Sequence, residues 1–124
     1  MNRDSTPSQT EIEYRQVISH CKALFDKKNK DYGTSWRILR LPSLTDQIFI
    51  KAQRIRTLEQ NGFSKVGEGI VPEYIGIINY AVMALVQLEL GHKEEYNMPV
   101  EKALNLYDKY ISISESKLGL ISKC

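Results

Sequence analysis

Residues 75–90 read IGIINYAVMALVQLEL. Apolar side chains fall on almost every side of this stretch at helical pitch, which leaves no wet face of the width a surface helix needs. It is therefore the central helix of a bundle, or one that also feeds an oligomer interface. Asn79, Tyr80, Gln87 and Glu89 interrupt it. At about 1.5 Å per residue it is also short for a bilayer, so no membrane partner is expected. Pro72 and Glu73 fit its first turn, where a proline costs little and an acid meets the positive end of the helix dipole. Gly91 ends it.

Working outward, the chain reads as four helices with almost no strand signal. The first starts at Ser8, where Ser-Gln-Thr-Glu forms a capping box with Glu11. Its apolar face runs through Tyr14, Val17, Ile18, Cys21, Leu24 and Phe25 and ends near Lys28. Residues 29–43, NKDYGTSWRILRLPS, read as a long ordered loop carrying Gly33, Pro42 and two large rings. Ser43 fits a cap for the second helix, with Asp46 in its first turn. Leu44, Ile48, Ala52, Ile55 and Leu58 or Glu59 trace the inward stripe, and Asn61-Gly62 stops it. Gly67-Glu-Gly69 reads as a link. The fourth helix starts at Pro99 with Val100, Ala103, Leu104, Tyr107, Tyr110 and Ile111 on one face, and the tail from Lys117 is expected to fray.

A chain of 124 residues is a single helical domain over 1–124. With 17 Lys+Arg against 15 Asp+Glu the net charge is +2, which gives no basic face for nucleic acid. Two cysteines do not make a disulfide scaffold. No basic start leads into an apolar signal stretch, so a soluble cytoplasmic protein is expected. No phosphate-binding or dinucleotide glycine loop occurs, and His20 and His92 make no zinc set.

Three groups of residues could carry chemistry. Lys27, Lys30, Asp31, Tyr32, Trp36 and Arg37 bring cations and rings together, as a nucleotide requires for phosphate and base. The same residues could plug the open end of the bundle, with the charges solvated. Lys51 and Arg54 share a face of the second helix, and Asp46 lies on a neighbouring strip. Asp46 could instead serve only as a cap. Glu68, Glu73, Gly76, Asn79 and Tyr80 form the third group. An amide in an otherwise dry helix needs partners, so Asn79 either faces a ligand or bonds across the bundle to Tyr32 or Asp31. Asp31, Asp46, Glu68 and Glu73 could converge on magnesium, although no paired acidic motif is present.

CKALFDKKNKDYGTSW, LTDQIFIKAQRI and EYIGIINYAVMAL resemble a bacterial and phage family of small all-helical proteins, long a domain of unknown function and later a nucleotide-modification-associated domain. The resemblance covers roughly residues 17–90, with Lys28 to Trp36 (Lys-x-x-Asp-Tyr-Gly-x-Ser-Trp) the most specific piece. The layout is more distantly similar to MazG-like all-helical nucleoside triphosphate pyrophosphohydrolases. That resemblance implies a MazG-like, four-helix bundle-like fold and a Mg2+ cofactor held by acids on two helices. Asp46 and Glu73 would then be the catalytic acids and, with Glu68, the metal ligands. Lys27, Lys30, Asp31, Tyr32, Trp36, Lys51, Arg54, Asn79 and Tyr80 would bind the nucleotide or a related small phosphate ligand.

The sequence departs from the family pattern at Gly76, where the family segment usually reads Asp-x-x-Asn-Tyr. It departs again at Lys51, where a magnesium enzyme of this class would carry a further acid. Both departures favour nucleotide binding over hydrolysis. The alternative is a non-catalytic interaction module that assembles as a homo-oligomer through the third helix. An open polar cleft around Asn79 would favour a ligand, and a sealed hydrogen-bond network would favour a scaffold.

Overall fold

The computed structural model describes residues 8–62, 66–91 and 98–118, with the side chains of 66–68 and 118 outside the description. Four helices run in order: α1 (Gln9–Tyr32), α2 (Leu41–Asn61), α3 (Val66–Leu90) and α4 (Val100–Leu118), with a single 3-10 turn, Ser35–Ile38, between α1 and α2. No strand occurs among the described residues, so the fold is an all-α bundle.

The start of α1 follows the sequence. The Ser8 hydroxyl accepts from the Glu11 amide at 3.1 Å, and the Glu11 carboxylate accepts from the Ser8 amide at 3.0 Å, which closes the capping box. Its end does not. The segment expected as a loop from residue 29 is largely helical, because α1 continues through Asn29 to Tyr32 and stops at Gly33 with φ 70°. Asn29 points inward and holds that last turn, donating from Nδ2 to the Phe25 carbonyl at 2.7 Å and accepting from Trp36 Nε1 at 2.9 Å.

Two other boundaries move. α2 starts at Leu41 with Pro42 in its first turn and no side-chain cap, so neither Ser43 nor Asp46 is a capping residue. α3 starts at Val66 rather than Pro72, which places Pro72 inside the helix and takes the expected Gly67–Gly69 link into it. Gly62 ends α2 in the left-handed region, as expected. α4 extends through Lys117 to Leu118, and the rest of the expected fraying tail lies outside the described residues.

α3 is packed on two sides, yet only 22% of its most apolar window is buried and Val71, Tyr74, Leu85 and Leu88 remain exposed. One side carries Ile75, Asn79, Val82 and Val86, and their apolar members join Cys21 and Phe25 of α1, Trp36, and Ala103 and Tyr107 of α4 in the core. Phe25 stacks between Trp36 and Tyr107 at ring distances of 5.9 and 4.8 Å. The other side packs along α2. A Cβ on Gly69 would meet Leu58 Cδ1 at 3.2 Å, and one on Gly76 would meet Lys51 Cε at 2.5 Å. Seven residues forward on α3 thus match seven backward on α2, the register of an antiparallel hairpin. By length and composition Gly69–Leu90 could also cross a membrane, with a mean hydropathy of 1.5 over its most apolar window. In this fold it is the central bundle helix, although Leu88 stays 64% exposed.

Asn79, 7% exposed, joins three helices. Its Nδ2 donates to the Cys21 carbonyl at 3.1 Å, and its Oδ1 accepts from the Tyr107 hydroxyl at 2.7 Å. The partners are neither Tyr32 nor Asp31, which are exposed. Gln87 does a similar task at the other end. Its Nε2 donates to the carbonyls of Arg37 at 2.8 Å and Leu39 at 2.6 Å, strapping the 3-10 turn onto α3. Arg37 Nη2 returns a bond to the Gly91 carbonyl at 3.2 Å, and the Thr34 hydroxyl donates to the Met98 carbonyl at 2.9 Å.

Tyr107→Phe removes the donor from a buried amide oxygen, so a stability loss of about 1–3 kcal/mol is expected in urea unfolding. Burial also raises three acids in the bundle: the Cys21 thiol, the Tyr107 hydroxyl and Tyr14, pushed up to about 12 by desolvation and the neighbouring Glu115 carboxylate. Each is held neutral in the folded state. The stability they contribute is full below their ordinary values, 9.0 for the thiol and 10.0 for the phenols, and is lost as the pH rises through the raised values. Unfolding midpoints should therefore not fall through these groups below pH 9, and should drop between pH 10 and 12, with a shallower drop in Tyr14→Phe. An unchanged slope in that variant would contradict the assignment.

Candidate functional site

A cavity of about 380 Å³ opens where the end of α1, the 3-10 turn and α3 meet. Tyr32, Trp36 and Tyr80 supply ring surface, Ile38, Leu39 and Met83 supply aliphatic wall, and Lys28 stands at the rim. Tyr32 is free to meet a ligand face, being 73% exposed. Trp36 is not a mobile lid. It is buried against Phe25 with its N–H committed to Asn29, so only part of the indole faces the cavity.

The cationic groups expected beside these rings split in two. Lys27 pairs with Asp31 at 2.9 Å and Lys30 with Asp26 at 3.2 Å, each one turn apart on α1. Exposed pairs of this kind contribute a few tenths of a kcal/mol, roughly, and spend the charges on each other. Lys27, Lys30 and Asp31 are therefore helix-surface residues outside the cavity lining. Asn79, expected to bind substrate, is likewise removed from the site by its sealed network with Cys21 and Tyr107.

A second group forms across the α2–α3 hairpin. The Lys51 side chain lies over Gly76, in space a side chain there would occupy, and places Nζ 5.8 Å from the Tyr80 ring centroid. Lys51 Nζ and Arg54 Nη1 each stand 3.7 Å from Glu73 Oε1. These are ion-pair distances longer than a hydrogen bond, and Glu73 Oε1 is buried with no hydrogen-bond partner. Two cations face one carboxylate, so the group carries a surplus positive charge. Arg54 and Glu73 also line a groove of about 490 Å³ with Ile50, Gln53, Thr57 and Leu58. Tyr80 belongs to both places: it walls the aromatic cavity and lies beneath the lysine.

Among the described residues, the donors around Glu73 do not make the near-octahedral oxygen set that magnesium takes. Asp46 is exposed and two residues from both Leu44 and Ile48, about 200° around α2 from the stripe that meets α3. It therefore points away from Glu73, and the expected acid pair does not form. The Glu68 side chain lies outside the described residues. Among those described, no three His, Cys, Asp or Glu side chains gather as a metal site.

Sequence reasoning missed Lys28, Ile38, Leu39 and Met83 in the cavity, and Asn29 and Gln87 as its supports. Lys28 and Asn29 open the most specific stretch of the sequence, and Gln87 was visible as a polar break in an apolar run. Residues 28–88 match the model of the family described as nucleotide modification associated domain 1. The matched stretch includes both the cavity and the Lys51–Glu73 group. Neither a curated protein nor a solved structure matches the chain.

Alanine in place of a helical glycine ordinarily gains about 1 kcal/mol. At Gly76 the atoms nearest the new methyl are Cε, Cδ and Nζ of the flexible Lys51 side chain, which can swing away. Gly76→Ala should consequently stay folded with an unfolding midpoint equal to or above that of the parent. A cooperative loss of several kcal/mol would mean that the backbone contact, rather than the lysine, is what the glycine accommodates.

Proposed function

We propose that the protein binds a nucleotide along this strip, with the base in the aromatic cavity and the phosphates toward Lys51 and Arg54. The observation that carries the reading is Tyr80, whose ring joins the cavity to the cationic group. The cavity lies within the size range of small-molecule sites, roughly 300–1,000 Å³. Glu73 and Tyr80 lie seven residues apart, about 10 Å along the helix, a span that suits a base at one end and a phosphate chain at the other. The family description supports a nucleotide as the ligand class.

The strip supports binding better than pyrophosphohydrolysis. Cleavage by a magnesium-held water, as the MazG-like resemblance implies, needs a second acid near Glu73, and Asp46 faces away. A second reading, assembly into a homo-oligomer, is favoured by the sealed Asn79 network and by the apolar groove between α1 and α3. Val17, His20, Val71, Tyr74, Ile75 and Ile78 line that groove, which encloses about 380 Å³. The two readings are compatible, and light scattering on the purified chain measures the second directly.

The test of binding is equilibrium titration with a panel of NTPs and dNTPs, with ion-exchange product analysis on the same samples. Tyr80→Ala should weaken nucleotide binding at least tenfold, while Asp46→Ala leaves it unchanged. Binding indifferent to both Tyr80→Ala and Tyr32→Ala would overturn the placement. Release of monophosphate and pyrophosphate that disappears in Asp46→Ala would restore the hydrolytic reading.

A further inference from the structure

We propose that Lys51 is the resident cation of this site, and that its ammonium receives a phosphate group of the ligand without a divalent metal. The inference rests on the nucleotide reading for the ligand's identity, but the anion site stands on its own geometry.

Three observations carry it. Lys51 lies in a trough that exists because residue 76 has no side chain; a Cβ there would stand 2.5 Å from Cε, 2.6 Å from Cδ and 3.1 Å from Nζ. The lysine is thereby directed across α3 and does not extend into solvent, and its side chain is only 20% exposed. Its three N–H donors take no hydrogen bond among the described contacts, since the one carboxylate within reach stands at 3.7 Å. The ammonium is not among the buried unpartnered groups, so its donors face water that an incoming anion can displace. Finally, Arg54 flanks the same carboxylate and is 60% exposed, which gives an anion a second cation at the edge of the groove that Arg54 and Glu73 line.

The chemistry follows from the charges. Glu73 neutralises one of the two cations, and the other is left for a phosphate oxygen. Arg54, which shares the Glu73 oxygen with Lys51, offers planar donors that suit a phosphate group. A divalent ion would have to enter beside two fixed positive charges with a single described carboxylate to hold it. Magnesium in solution would compete with the lysine for the phosphate chain and would not assist it.

The experiment is calorimetric titration of the full chain with inorganic tripolyphosphate and separately with ATP, each in EDTA and in excess magnesium chloride. Tripolyphosphate and ATP should both bind in EDTA, and excess magnesium should weaken tripolyphosphate binding several-fold. Lys51→Met keeps the aliphatic stem over Gly76 and should cost at least tenfold, with no rescue by magnesium. Gly76→Ala, checked for a cooperative melt, should cost several-fold by pushing the ammonium aside. Binding of either probe that appears only with magnesium, or that survives Lys51→Met, overturns the proposal. ATP binding that requires magnesium would leave the nucleotide reading standing while this one falls. Lys51-dependent tripolyphosphate binding with ATP no tighter would do the reverse. Absence of all binding would overturn both.

Discussion

The close approach of α2 to α3 is the constraint on which the rest of the molecule depends. Gly69 and Gly76, two turns apart, remove side chains from the face of α3 that meets α2, and the space goes to Leu58 and Lys51. An apolar helix with one free side would have to expose it. α2 on one flank and α1 and α4 on the other make α3 the central helix, while Val71, Tyr74, Leu85 and Leu88 leave part of its apolar surface exposed. The same approach brings a lysine, an arginine and a glutamate from two helices within ion-pair distance. Packing and site are therefore consequences of one contact.

The polar residues within α3 set what packing alone leaves free. Apolar surfaces can slide past one another at little cost, whereas a buried amide must meet its partners or lose the desolvation energy of an unpaired group. Asn79 fixes α3 against α1 through a backbone carbonyl and against α4 through a phenol. Gln87, one bundle layer on, fixes the 3-10 turn and so the position of Trp36. The aromatic cavity owes its shape to these bonds, since its back wall is an indole held by Asn29 on one side and a strapped turn on the other. Asn79 acts on the site through this frame and lines neither the aromatic cavity nor the Arg54 groove.

Periodicity made the four helices and most of the core legible, since Cys21, Phe25, Leu44, Ile55 and Tyr107 all fall on the expected stripes and are buried. Boundaries read from glycine and proline were less secure. Gly67, Gly69 and Pro72 look like a linker followed by a first turn, yet α3 absorbs them. Asn29 to Tyr32 look like a loop, yet Asn29's two side-chain bonds pay for another helical turn. In the site, Tyr32, Tyr80, Lys51, Arg54 and Glu73 were legible as chemical types. Their grouping was not, because it depends on the angle at which each helix presents them. Asp46 is the clear case: it reads as lying on a strip next to Lys51 and Arg54, yet its place two residues from both Leu44 and Ile48 of the inward stripe turns it outward.

Gly76 was legible as an anomaly before its meaning was. Within one helix a glycine signals only lost propensity, and its use depends on what the neighbouring helix sends into the gap. A lysine in that gap differs from a metal ion in ways that bear on selectivity. It carries one charge, cannot leave, and needs no carboxylate cage, so Glu73 alone suffices to hold it. A bound divalent ion demands several oxygen ligands and brings its own water. On the Lys51 proposal, a site built around that lysine recognises the charge and reach of a phosphate chain through tethered donors, and hydrolysis would need a water deprotonated by Glu73 or by a group outside the strip. On the proposed reading these residues hold a nucleotide, and the arrangement for cleaving one is incomplete among the described groups of a single chain.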